Sequence, residues 1–363
     1  MRFTVIVSDL VFMISGAFAV ARRIPGFSRA HLLLALFTPG FLLIDHGHFQ
    51  YNNVMLGLTL WAVAFFASKA HFMAVVCLFA SVCFKQMNLY AIPAFGAALL
   101  GLGAAEGSPM GVLSAYARWG AAAVLTLLAS FAPFLGSWED LQVVLKRLFP
   151  VGRGLFEEKV ANAWCTISIF TKIHRKLPHA TLFQWCLISV IAGLLPMLLS
   201  LIGKGAQRRL SVTRFLIGLA YCCLVMFMFS YHVHEKQILI PLLPIAFLTP
   251  HSPWFVYFFT LWSSFSLYPL MRKDGLQIAY FSTLLIWNCL FLVVFGRRLS
   301  SMPAAWKFFI VASVDFIALN HLAQAIWTPP AKLPDLFLVL NTISSSGAFG
   351  LCLLYLIYQF HQI

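Results

Sequence analysis

Of 363 residues, 61% are hydrophobic and 10% charged, and the mean hydropathy is +0.88; soluble domains are roughly 45–50% apolar and about 25% charged. The 25 Lys+Arg against 11 Asp+Glu give a formal net charge of +14, and in so apolar a chain that excess reads as loop topology rather than nucleic-acid binding. No P-loop, GxSxG or nucleotide fingerprint occurs, so no soluble nucleotide-sugar or ATP site is legible.

The first segment, residues 4–21, has its positive pair Arg22 and Arg23 after the apolar core and no small-residue cleavage site, so it reads as a membrane helix rather than a signal peptide. At about 20 apolar residues per crossing, further spans are predicted at 31–44, 53–68, 71–85, 89–103, 117–135, 183–203, 213–230, 237–250, 253–270, 276–296, 306–327 and 336–360. The expected architecture is therefore an all-α, polytopic integral membrane protein with about thirteen transmembrane helices. Residues 1–363 form a single multi-span domain, with a non-cytosolic amphipathic loop at 136–182. Several early spans are short, which suggests paired or broken helices around a cavity. The cysteines lie mostly inside apolar stretches, as at Cys77, Cys83, Cys222, Cys223 and Cys352, and without a CxxC pair they read as packing residues.

Each span crosses once, so parity sorts the loops. One set holds Arg22, Arg23, Arg29, Lys69, Arg118, Lys204, Arg208, Arg209, Arg214, Arg297 and Arg298, the cytosolic side by the positive-inside bias. The other holds "DHGHFQYN", "FKQMNLY", residues 136–182, "YHVHEKQ", "MRKDG" and "TPPAKLPD". Polar groups at membrane depth are expensive, and their sharing one side points to one site there. The cations of 136–182 run against the charge rule, and binding of an anionic phosphate would explain them.

In helical continuation Asp45 and His48 are three apart, and His46 and Gln50 four apart, which places two polar strips at the membrane edge. Asp45 is expected to hold the neighbouring His46 in one tautomer or charge state; the plainer alternative is helix capping by Asp45. Lys85 and Gln86 close an apolar span, where a snorkelling lysine is the default reading. In residues 146–165, Arg147, Arg153 and Lys159 bracket Glu157 and Glu158: cations for a phosphate, carboxylates for sugar hydroxyls or a proton. The alternative there is an amphipathic helix with Phe149, Leu155, Phe156 and Trp164 dipped in lipid. His234, Glu235 and Lys236 precede another apolar run, and without HExxH spacing a phosphate or sugar role is favoured over a metal.

In order along the chain, "LLIDHGHFQYN", "FKQMNLY", "KRLFPVGRGLFEEKVANAWC", "HVHEKQILIPLLP" and "PPAKLPDLFLVL" resemble the endoplasmic-reticulum α-1,3-glucosyltransferases that use dolichyl-phosphate glucose. The branch that adds the first glucose reads RGLFEDKVANxWC and DHGHFQYN, closer to Arg153–Cys165 and Asp45–Asn52 than the branch that adds the second; Glu158 stands where it has Asp.

The resemblance implies a GT-C-type fold and an inverting transfer, without cofactor or metal, in the endoplasmic-reticulum lumen. The donor would be dolichyl-phosphate glucose and the acceptor dolichyl-diphosphate oligosaccharide. It further implies that the catalytic base is an Asp in a "DYPPLTAYH"-like motif on a lumenal loop, preceded by one more helix. No such motif occurs in this sequence, and the resemblance places it upstream of Met1. A base is therefore not assigned to Glu157 or Glu158. Asp45, His46, His48, Gln50, Lys85, Gln86, Arg153, Glu157, Glu158, Lys159, His234, Glu235 and Lys236 are the expected substrate-binding set. A secondary transporter and a non-catalytic membrane scaffold remain open as other readings of the polar residues.

Overall fold

The structure is a computed structural model that describes residues 2–148 and 160–363, and among them every regular element is a helix. The chain opens with α1 (Phe3–Ala21) and a bent pair, α2 (Arg29–Leu36) and α3 (Pro39–Gly47), which meet at 46°. Ser28 starts α2 through a capping box: its Oγ accepts the His31 N–H at 3.2 Å, and its own N–H donates to His31 Nδ1 at 3.1 Å. Pro39 causes the bend, because it brings no backbone N–H and keeps Thr38 out of the helical region, at ψ 123°.

Next come α4 (Asn52–Ala67), α5 (His71–Phe84), α6 (Gln86–Ala104), α7 (Pro109–Phe134) and α8 (Trp138–Leu148). Beyond them lie α9 (Ala163–Thr171), α10 (His179–Ala206), α11 (Val212–Phe229), α12 (Leu239–Ala246), α13 (Pro253–Lys273), α14 (Gln277–Arg298), α15 (Ala304–Ile326) and α16 (Leu336–Gln362). Side-chain caps fix several starts: Ser108 Oγ accepts from Gly111 N, Asn162 Oδ1 from Cys165 N and Ser211 Oγ from Arg214 N.

Among the described residues eight helices are long and apolar enough to cross a membrane, or nine with the bent pair as one span. The chain is thus a multi-pass membrane protein, with fewer full-length crossings than the sequence count. The physical reason is helix length. α4 and α5, of 16 and 14 residues, reach only about 24 and 21 Å, short of a hydrocarbon core of about 30 Å. The predicted span 237–250 contains an α-helix of only eight residues, α12, and all eight are buried against protein. α13 is long enough but buries Thr260, Ser263, Ser264 and Ser266.

The core sits on α11, α12 and α13. Of the α11 span 83% is buried, against 17% of α15 and 11% of α7, whose apolar surfaces face outward. α8 is amphipathic, with Trp138 and Val143 exposed, Glu139 and Asp140 in its first turn and Lys146 and Arg147 in its last. Trp164, expected to dip into lipid under the amphipathic reading, is buried instead. It packs with Ile173, Leu182 and Cys186, and its Nε1 donates to the Phe229 carbonyl at 2.8 Å. Cys165, Cys186, Cys222, Cys223 and Cys352 are likewise buried.

One helix pair positions the site. α1 crosses α4 at glycines: a Cβ on Gly57 would lie 2.3 Å from the Phe12 carbonyl carbon, and one on Gly16 would lie 2.8 Å from the Gly57 oxygen. Only small residues let two backbones approach so closely. The approach lays the π-helical turn Asp9–Ile14 of α1 beside α4. α4 and α5 then link the two ends of the bundle, with Asn52 and Lys85 at one end and Lys69 at the other, where Arg23 Nε donates to Ser68 Oγ at 2.6 Å.

Candidate functional site

The last turn of α3 widens into a π-helix over Leu43–Gly47, and Phe49 follows in the left-handed region at φ 65°. Such single π turns recur at functional sites. The turn replaces the two regular strips expected from helical continuation. Asp45 is fully buried; its Oδ1 accepts from Asn52 Nδ2 at 2.7 Å and its Oδ2 from the Asn53 backbone N–H at 2.5 Å. Asn53 lies in the first turn of α4, whose N–H groups lack intrahelical partners. Asp45 therefore caps α4 across a sharp turn, with its charge at the positive end of the helix dipole.

The expectation that Asp45 holds His46 is corrected by this geometry. His46 Nε2 lies 2.7 Å from Asp9 Oδ2, and Asp9 Oδ1 accepts from Asn53 Nδ2 at 3.0 Å. With both oxygens of Asp45 turned toward α4, the imidazole finds its carboxylate on α1. Asp9 had no role in the sequence reading. It is the sole acid between residues 4 and 21, and a lone carboxylate in an apolar span was the available signal.

Lys85 does not snorkel outward. It is half-buried, and its Nζ donates to Asn52 Oδ1 at 2.7 Å and Gln50 Oε1 at 3.3 Å. Burial lowers its ammonium pKa from the ordinary lysine value; the Asp45 charge opposes that shift and the Lys236 charge adds to it. The neighbouring Gln86 is exposed.

The last part of the network joins three segments that are far apart in sequence. Lys236 Nζ lies 3.1 Å from His48 Nε2, and His48 Nδ1 lies 2.5 Å from Asp274 Oδ2. An ammonium only donates, so Nε2 accepts and the ring proton sits on Nδ1, donated to Asp274. Asp274 comes from the turn after α13, where Gly275 takes φ 71°; its loop was noticed in sequence, its role was not. In the same turn as Lys236, His234 is exposed and Glu235 half-buried, and the His234 N–H donates to Gln237 Oε1 at 2.6 Å.

Asp45, His46, His48, Gln50, Lys85 and Lys236 thus share one end of the bundle with Asp9, Asn52, Asn53 and Asp274. Arg153, Glu157, Glu158 and Lys159 lie outside the described residues. So does Met1, and the described chain begins at Arg2. Among the described residues no three His, Cys, Asp or Glu side chains gather as a metal-ligand set. The arrangement offers two ammonium groups held by neutral acceptors, and carboxylates already engaged in orienting them. Such a site can receive an anion.

The ALG6, ALG8 glycosyltransferase family matches residues 1–358. The chain is 33% identical to the dolichyl pyrophosphate Man9GlcNAc2 alpha-1,3-glucosyltransferase of Saccharomyces cerevisiae, over 99% of this chain and 72% of that protein. It is 35% identical to the probable enzyme of the same name from Schizosaccharomyces pombe, over 97% and 70% of the two chains. The Mus musculus enzyme of that name is 32% identical, over 98% of this chain and 74% of its own length.

Proposed function

The chain belongs to the ALG6, ALG8 glycosyltransferase family, and from that membership we propose that it transfers the first glucose of the lipid-linked oligosaccharide. The donor is dolichyl-phosphate glucose, the acceptor Man9GlcNAc2-diphosphodolichol, the new linkage α-1,3, and the site faces the lumen of the endoplasmic reticulum. The Lys236–His48–Asp274 line beside Lys85 supports the reading most directly.

Transfer with inversion needs a base behind the acceptor hydroxyl and stabilisation of the departing phosphate. The second task suits Lys85 and Lys236. Each ammonium is fixed by a neutral acceptor, Asn52 Oδ1 or His48 Nε2, and keeps further N–H donors for phosphate oxygens. His48 is oriented in turn by Asp274, and His46 by Asp9. Asp45 supports the site from below by capping α4. His234, Glu235, Gln50 and Gln86 border the same end, and Arg153, Glu157, Glu158 and Lys159 complete the proposed substrate-binding set. The base is not assigned to any residue of this chain.

The test is expression in a cell that accumulates Man9GlcNAc2-diphosphodolichol, with the chain joined to the amino-terminal segment of the yeast relative in parallel. Lipid-linked oligosaccharide carrying one glucose is expected, and Lys236→Ala should abolish it. Undiminished glucosylation by the Lys236→Ala protein removes that residue from the site. Absence of product from both wild-type forms removes the reading.

A further inference from the structure

A cavity lies at the opposite end of the bundle from the polar network. Its volume is about 540 Å³, and it is walled by the α4–α5 turn, the end of α6, the third turn of α7 and the α10–α11 turn. Lys69, Arg118 and Arg208 line it. α6, long enough to cross a membrane, runs from beside Lys85 to Glu106 on the cavity wall, so the cavity is separated from Lys85 by a full helix.

Three observations set this cavity apart from an ordinary basic loop region. Among the described residues, none of the three cations forms an ion pair; the pairs present are His46–Asp9 and His48–Asp274. Among the described residues Glu106 is the one carboxylate on the wall, which leaves the lining with excess positive charge.

The second observation concerns backbone. Lys69 and Arg208 both have positive φ, 62° and 54°. Each closes its helix in a Schellman turn: Lys69 N donates to Phe66 O and Ala70 N to Phe65 O, while Arg208 N donates to Gly205 O and Arg209 N to Lys204 O. Glycine is the ordinary occupant of that position. The helix dipole favours a cation near a C-terminus, but any residue of the last turn satisfies it. Lys69 and Arg208 thus stand as two left-handed cations on one cavity wall, where Arg208 Nη2 also donates to the Ala105 carbonyl at 2.9 Å, and their helix ends hold both charges at the cavity.

The third is the rim. Phe72 and Met73, at the mouth, are 43% and 42% exposed, next to the cations. Inside, His71 meets Trp119 edge-on at 5.4 Å. A free phosphate would use only the charged part of this lining. An amphiphile with a phosphate head and an apolar body would use both. By the positive-inside bias this end is the cytosolic one, where anionic lipids concentrate.

We propose that this cavity binds the phosphate headgroup of an anionic phospholipid from the cytosolic leaflet, with the phosphate between Lys69, Arg118 and Arg208 and the glycerol region against Phe72 and Met73. The site is independent of the glucosyl-transfer reading.

The test measures binding of dioctanoyl phosphatidylinositol, dioctanoyl phosphatidylcholine and inorganic phosphate to the purified full chain in neutral detergent. The variants are Arg208→Gly, which removes the charge and relieves the backbone, and Arg118→Gln, which leaves the left-handed positions untouched. Phosphatidylinositol should bind in preference to phosphatidylcholine, and each variant should weaken it about fivefold, the value of one cation at a membrane surface. Equal binding of the two lipids, or unchanged phosphatidylinositol binding in both variants, overturns the proposal. Inorganic phosphate displacing the lipid at equal concentration overturns it as well, since the apolar rim would then contribute nothing.

Discussion

Lys236 and His48 are 188 residues apart in sequence, and 3.1 Å separates Lys236 Nζ from His48 Nε2. The contact fixes the ring proton on Nδ1, where Asp274 receives it. Asp274→Asn keeps the shape of that side chain but removes the charge that favours this tautomer. A hydrogen bond to a charged group contributes about 1.5–3 kcal/mol, so glucosyl transfer should fall by about tenfold to a hundredfold. The loss should appear in an in vitro assay with dolichyl-phosphate glucose while the melting temperature stays near wild type, because both side chains are partly exposed.

Asp45 predicts the reverse. It is fully buried, and both carboxylate oxygens are occupied by α4. Asp45→Asn replaces one of its two acceptor oxygens with an amide that cannot accept the Asn53 or Asn52 N–H. The expected cost is about 1.5–3 kcal/mol of stability, read as a lowered melting temperature of the detergent-solubilised protein. Unchanged melting would show that the cap is not what holds the first turn of α4.

Lys85 carries a pH dependence. Burial lowers its pKa, so its ammonium loses its proton at lower pH than an exposed lysine does. Phosphate binding needs the charged form, which is complete below that pKa and lost as pH rises through it. KM for the donor should therefore rise on the alkaline side. Lys85→Arg, charged at every accessible pH, should move that limb upward, and an unmoved limb would assign it to another group.

What sequence made legible follows from what each signal measures. Hydropathy and charge bias report which end of a helix a residue occupies, and they placed "DHGHFQYN", Lys85, Lys236 and the loop of Asp274 together. They do not report contacts across the bundle. Asp45 and His46 are adjacent in sequence, so a pairing between them looked natural; the π turn separates them and gives each a different partner. Asp9 was hidden because its role depends on how closely α1 approaches α4. Lys85 looked like a snorkelling residue because Asn52 and Gln50 reach it only after α3 has turned back on α4. The predicted 237–250 span failed for a different reason: a short apolar run is the same string whether protein or lipid covers it, and here protein covers α12.

The approach of α1 to α4 gives a prediction at a residue with no functional group. A Cβ on Gly57 would meet the Phe12 carbonyl carbon at 2.3 Å and the Met13 nitrogen at 2.6 Å, both backbone atoms that cannot rotate away. Gly57→Ala must therefore push α1 outward. Phe12 belongs to the same π turn as Asp9, so the displacement carries Asp9 away from His46 and Asn53. Overpacking of this kind costs about 1–3 kcal/mol, and transfer should fall together with the melting temperature. Gly16→Ala, whose Cβ would meet the Gly57 oxygen at 2.8 Å and the Leu60 side chain at 3.0 Å, should do the same to a smaller degree. Cysteine pairs would separate displacement from unfolding. An Asp9→Cys, His46→Cys protein should be bridged by a short bifunctional thiol reagent, because the two side chains meet at their tips, and more slowly with Gly57→Ala; equal bridging would show that α1 absorbs the methyl group without moving its carboxylate position.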